Sequence, residues 1–329
     1  MSLEVETPAP AQRGSQAGSE QRRGHPTLRR SLARLDIKLS PYLYILPFFI
    51  LFAIFGLYPI GYTVWVAMTD RSPLNSEIKF IGLENFKELI TEDQQFWNAV
   101  YNTFGMFFVA TVPQLLLALL LANALNRRIR GQTFFRMAIA MPIITSTAVV
   151  ALVFSMIFGR DFGLINWLLD QFGISAIDWR ASKPASWFAI SVMVDWRWTG
   201  YNALIYLAAM QAIPKDLYEA AALDGASRMR QFWSITIPQL RPTIIFTVII
   251  STIGGLQLFT EPLLFTSGAG GLSGGSEGQY QTIAMYLVEV MTNRMRWGYA
   301  GAVSLLLFVL IALFSLVNFL LVRRISSDK

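Results

Sequence analysis

Residues 300–322 read AGAVSLLLFVLIALFSLVNFLLV, without a single charged side chain. An α-helix needs roughly 20 apolar residues to cross a hydrocarbon core, and this run supplies them. Five further segments are of similar length and character: about Tyr42–Met68, Val100–Leu125, Phe134–Phe158, Ala185–Ala209 and Thr243–Leu264. The fourth in chain order, Ala185–Ala209, is the least apolar, because Asp195 and Arg197 lie inside it. Composition points the same way: 54% of the 329 residues are apolar and only 15% charged, against about 25% charged in ordinary soluble domains. The expected fold class is therefore an all-α membrane protein with six transmembrane helices. A polar tail over residues 1–40 reads as disordered, and residues 41–329 as the membrane domain.

Composition also removes whole classes of chemistry. There is no cysteine and one histidine, His25, in the polar tail. Thiolate metal sites, histidine-rich zinc sites and Ser-His-Asp hydrolysis have nothing to work with, so neither catalytic nor metal-binding residues are expected. The net charge is +6, but the basic residues flank apolar runs, which argues for membrane lipid and against nucleic acid. Their distribution sets orientation. With the N-terminus inside, eighteen lysines and arginines fall in internal segments and eight in external ones, with Arg197 in helix four. Seven of the eighteen lie in the tail: Arg13, Arg22, Arg23, Arg29, Arg30, Arg34 and Lys38. Both termini are accordingly expected in the cytoplasm.

The longest internal loop, about 213–242, reads IPKDLYEAAALDGASRMRQFWSITIPQLRP. Pro214 suits the first turn of a helix, DLYEAAAL is strongly helix-forming, and Asp224-Gly225 is a turn pair. A second amphipathic helix is expected over about Ser227–Ile235, ended by Pro238 and Pro242 before the next span. Small residues at Ala220, Ala221, Ala222 and Ala226 would let another protein approach closely.

This loop resembles the EAA motif of ABC-importer permeases: Glu219-Ala220-Ala221, three residues, Gly225, nine residues, then Ile235-x-Ile237-Pro238. Asp224 and Ala226 match the Asp-Gly-Ala form of sugar permeases, and Ile237 stands where Leu is usual. GLENF (82–86) and WRWTGYNALIYLAAMQAIP (196–214) are similar to segments of the maltose-type sugar permease family. So are the Gly-rich stretch after LLFTSG and the following GYAGAVSLLL. The resemblance implies the type I importer permease fold and a multi-pass place in the bacterial plasma membrane. It also implies a transport subunit, not an enzyme, taking up an oligosaccharide or related carbohydrate. Its expected partners are a second permease, two cytoplasmic ABC ATPases and an external solute-binding protein. ATP and magnesium would be bound by the ATPases, and the sequence has no G-x-x-x-x-G-K phosphate loop of its own. Glu219, Ala220, Ala221, Asp224, Gly225, Ala226, Ile235 and Pro238 would form the ATPase-coupling surface.

A solute pathway is sought where polar groups interrupt the spans. Asp195, Trp198, Thr199, Asn202 and Tyr206 recur at helical spacing and are expected on one face of helix four. Arg197 begins a second stripe with Gly200, Tyr201 and Leu204. Ionisable groups at membrane depth face a cavity or a partner, and packing against neighbouring helices remains open for these residues. Tyr201 joins the pathway candidates, with Gln257 and Glu261 beyond Gly254-Gly255, a pair that would loosen helix five. Trp297 and Tyr299 read as an interfacial aromatic belt. The alternatives are an importer for a non-sugar solute such as a glycerol phosphodiester, and an ion-coupled secondary transporter.

Overall fold

The computed structural model describes residues 26–75, 77–127, 130–265 and 271–327. The expected disorder of the tail before residue 26, and the first part of the Gly-rich loop, lie outside the described residues. The chain divides into two compact units, 1–60 and 61–329.

Among the described residues the protein is all-α, with one isolated bridge between Thr69 and Phe80 in place of any strand. Helix α1 (Pro26–Phe52) continues through a π-turn (Ala53–Leu57) into α2 (Tyr58–Ala67). The helix thus begins inside the segment read as tail. Then come α3 (Glu84–Thr91), α4 (Gln94–Leu125), α5 (Gln132–Ile144), α6 (Thr147–Ile157), α7 (Leu164–Gln171) and α8 (Lys183–Gln211). The hairpin helices are α9 (Lys215–Leu223) and α10 (Arg228–Gln231). The last four are α11 (Ile237–Leu256), α12 (Thr260–Phe265), α13 (Ile283–Thr292) and α14 (Trp297–Ser327).

Among the described residues four helices are long and apolar enough to cross a membrane: Leu39–Ala67, Gln94–Leu125, Arg228–Leu256 and Trp297–Leu320. A fifth span exists if α5 and α6 count together. The 29-residue α8 has the length but carries Lys183, Asp195 and Arg197.

Three expectations of continuity change. The third apolar segment is broken: α5 and α6 meet at 95° across Thr145-Ser146. Pro142 has no N–H to give the preceding turn, and Thr145 turns its hydroxyl back onto the Met141 carbonyl (3.2 Å), a side-chain bond that competes with the helix. The fifth segment ends at Leu256 and resumes as α12. Conversely, Pro238 and Pro242 do not end a helix. Arg228 to Leu256 runs as one helix, with a π-turn at Phe232–Thr236 just before Pro238. The wider turn accommodates a ring that cannot donate to the carbonyl four residues back.

The framework is α4 against α8, with α5, α11 and α12 on α8 and α14 on α11 and α13. Small buried residues share the clusters of the central pairing: Ala110, Ala118 and Ala122 of α4, Ala189 and Ala203 of α8. In a lipid solvent, backbone approach and dispersion, not release of water, hold helices together, so small side chains are favoured there. Gly200 is the tightest example. A Cβ on it would lie 1.7 Å from the Ile139 carbonyl oxygen of α5.

At the end of the bundle near α3 and α13, polar side chains supplement an apolar cluster that includes Leu89, Ile283 and Val290. Asn85, from the GLENF segment, donates to the Ala67 and Thr69 carbonyls (2.8 and 2.9 Å) and fixes the end of α2. Asp93 caps α4 through the Phe96 N–H (2.9 Å) and accepts from the Tyr286 and Tyr299 hydroxyls. Tyr299 is therefore buried and not part of an aromatic belt. It sits in the first turn of α14, where the side chain points back into the bundle. Asn98 and Asn102 donate to the Gly278 carbonyl and hold the Gly-rich segment on α4.

Candidate functional site

A cavity of about 420 Å³ lies between α4, α8 and the α11–α12 junction. Both helix interruptions reach it. Thr147, the first residue of α6, lies on its wall, and so do Gly254, Gly255 and Gln257 to Thr260. Breaks expose peptide groups, which are tolerated at membrane depth only against protein or a water-filled cavity. Gly255 lets α11 approach α4, since a Cβ there would meet the Phe107 ring at 2.8 Å.

Of the residues expected on a solute pathway, Trp198, Tyr201, Asn202, Gln257 and Glu261 line this cavity together. Asn202 donates to Ser251 across it (3.4 Å), and the Trp198 and Tyr201 rings meet edge to face, 5.9 Å apart. Asp195, Thr199 and Tyr206 do not join them. Asp195 and Thr199 face a separate groove toward α5, lined also by Ile139, Pro142 and Gly200. Tyr206 is buried and shares a hydrogen bond with Thr247 of α11 (2.6 Å). The reason is angular. At 3.6 residues per turn, successive side chains are about 100° apart, so the stripe from Asp195 to Tyr206 is broad enough to straddle two grooves. The cavity takes its Trp198 edge, and Tyr201 enters from the other side.

Arg197 donates to Glu261 at 3.1 Å, and both side chains are more than nine-tenths buried. Its guanidinium also lies 5.8 Å from the Trp198 ring centre. The Asp195 carboxylate and the Ser191 and Thr199 hydroxyls, by contrast, each hold a buried oxygen without a partner among the described residues. The sequence reading missed Thr111, Gln114, Thr147 and Ser251 on the cavity wall. Gln114 had a usable signal, a lone amide in the apolar run TVPQLLLALL. The others are hydroxyl residues of a kind scattered through every span.

The hairpin of α9 and α10 projects from the bundle, and α9 has no buried residue. Its turn closes on Gly225 at φ +77°. The Gly225 N–H donates to Ala222 (3.0 Å) and the Ala226 N–H to Ala221 (2.9 Å), the pairing that satisfies the last carbonyls of a helix ending in a left-handed glycine. Glu219, Ala220, Asp224 and Gly225 are exposed, and Ala221, Ala226, Ile235 and Pro238 half-buried. Apolar groups stand in the open here: Leu223 is 90% exposed, Met229 67% and Trp233 61%. Tyr218 ties α9 back to Thr236 at the π-turn (2.9 Å).

Residues 114–327 match the family described as binding-protein-dependent transport system inner membrane component. The chain belongs to that family. It is a permease, a transport subunit and not an enzyme. The arabinooligosaccharides transport system permease protein of Bacillus subtilis is 34% identical over 284 residues, covering 85% of this chain and 88% of that protein. The trehalose/maltose transport system permease protein of Thermococcus litoralis is 32% identical, over 92% of this permease and 99% of its own length. A solved bacterial ABC transporter involved in import of the acidic polysaccharide alginate shares the fold. Its TM-score is 0.75 at 23% identity, over 92% of this permease and all of that chain.

Proposed function

We propose that this permease carries an oligosaccharide or related carbohydrate across a bacterial plasma membrane, through the cavity between α4, α8 and the α11–α12 junction. The lining carries the reading. Amides from Gln114, Asn202 and Gln257 and hydroxyls from Ser251 and Thr260 stand beside the Trp198 indole and the Phe259 ring. Sugar hydroxyls need directional partners and sugar rings have apolar faces, so this mixture suits them.

In this reading the chain crosses the membrane six times, with α5–α6 and α8 as spans and both termini in the cytoplasm. It pairs with a second permease and receives solute from an external binding protein. Two ABC ATPases, which hold ATP and its magnesium, dock on the hairpin. Its projection from the bundle, its exposed Leu223, Met229 and Trp233, and its small Ala220 and Ala221 support that docking.

Reconstitution of the complex in vesicles tests both ends. Gly225→Val forces a β-branched side chain into left-handed backbone, at a cost of about 1–3 kcal/mol. The variant is expected to insert normally but to bind ATPase weakly or to hydrolyse ATP without uptake. Trp198→Ala is expected to lower uptake with the complex intact. Wild-type uptake by Gly225→Val with ATPase bound normally would remove the coupling role, and wild-type kinetics in Trp198→Ala would remove the pathway.

A further inference from the structure

We infer that the Arg197–Glu261 pair makes the cavity selective for uncharged saccharides over uronic ones, an inference that rests on the cavity being the solute pathway. Among the described lining side chains Glu261 is the only charged one. Its partner Arg197 is not on the wall. It stands behind, holding Oε1 of Glu261 at 3.1 Å, with both side chains buried.

The order matters. Coulomb energies fall off with distance, so the nearer member of the pair outweighs the farther one for a ligand in the cavity. A uronic carboxylate entering here meets Glu261, and the wall offers it no cation. Repulsion adds to the cost of stripping water from the incoming anion. A neutral saccharide meets a carboxylate already balanced from behind, and amides and hydroxyls elsewhere. A cationic solute would have to draw Glu261 away from Arg197 and leave a buried guanidinium unpaired, which is also unfavourable. Arg197 thus acts at one remove, as a positioning residue that fixes the carboxylate so that the negative end of the pair faces the cavity. Glu261 carries the discrimination.

The test uses the membrane complex isolated through this chain in lipid nanodiscs, without the binding protein, whose own preference would otherwise mask the permease's. Equilibrium dialysis is run with neutral hexose di- and trisaccharides, each paired with its uronic counterpart. The readout is the neutral-to-uronic affinity ratio. The expected ratio is above about tenfold in the wild type, and Glu261→Gln, which removes the wall charge and frees Arg197, is expected to collapse or invert it. If Glu261→Gln does not reach the membrane, the double variant Arg197→Gln/Glu261→Gln replaces the ion pair with two amides and is expected to relax the ratio as well. Uronic preference in the wild type, or an unchanged ratio in the variant that is recovered, overturns the inference and leaves the pathway standing. If no saccharide binds, or Trp198→Ala binds the panel like the wild type, the pathway reading itself falls and the inference with it.

Discussion

Gly200 and Asp195 lie five residues apart on α8 and carry opposite expectations. Gly200 has no room to grow, because a Cβ would lie 1.7 Å from the Ile139 carbonyl oxygen. Backbone cannot rotate away as a side chain can, so α5 must shift. Overpacking of this kind costs about 1–3 kcal/mol. Gly200→Ala is expected to lower the melting temperature of the detergent-solubilised permease, and an unchanged melt would mean that α5 yields freely. Asp195 faces the α5 groove and not the cavity. Asp195→Asn is therefore expected to leave solute affinity as in the wild type, as binding curves would show, although the same polar stripe contains Trp198 and Asn202. A single sequence reveals a stripe's periodicity but not its rotation about the helix axis. That rotation is fixed by neighbours such as Ile139 and Ser251, which no local pattern names.

Asp93 shows how an element's end is secured. Burial pushes its carboxyl up, but the Tyr286 and Tyr299 hydroxyls, the Phe96 N–H and nearby Arg294 together hold it below the usual carboxylate range. A carboxyl lowered on folding adds stability that is complete above its unfolded pKa, about 3.9, and is lost as pH falls toward the folded value. The junction of α4, α13 and α14 should thus loosen in acid. Melting curves from pH 7 down to about 3 should show Asp93→Asn less acid-sensitive than the wild type, and less stable at neutral pH by about 1–3 kcal/mol. Parallel curves would exclude this role. At this scale legibility was uneven. The hairpin was readable because Asp224-Gly225 is local turn chemistry, and the bundle gives α9 nothing to override it. The break at Thr145-Ser146 was hidden inside PIITSTAVV, where hydropathy is continuous and Pro142 is compatible with either outcome. The persistence of helix through Pro238 was missed for the opposite reason: proline reads as a stop, and only the π-turn before it shows how the helix continues.

For the whole molecule, six apolar segments were legible from hydropathy, and four of them have the length and composition of spans without further argument. The count of six crossings is tested by single cysteines and a label that cannot cross the membrane. Sites at Ser72, Ser182 and Ser273 are expected to react from outside, and sites at Ser19 and Ser227 only after permeabilisation. Outside reaction at Ser227 would invert the proposed topology. The helix from Arg228 to Leu256 acquires a mechanical meaning at this scale. Its 29 residues make a rod of about 43 Å. One end is clamped to α9 by the Tyr218–Thr236 bond, and the other stops at the junction that walls the cavity. If a motor pushes on α9, the thrust enters the foot of the rod and arrives, undivided, at the residues that line the proposed pathway. The lever and the wall of the site are the same piece of chain, so no relay has to carry the stroke between them.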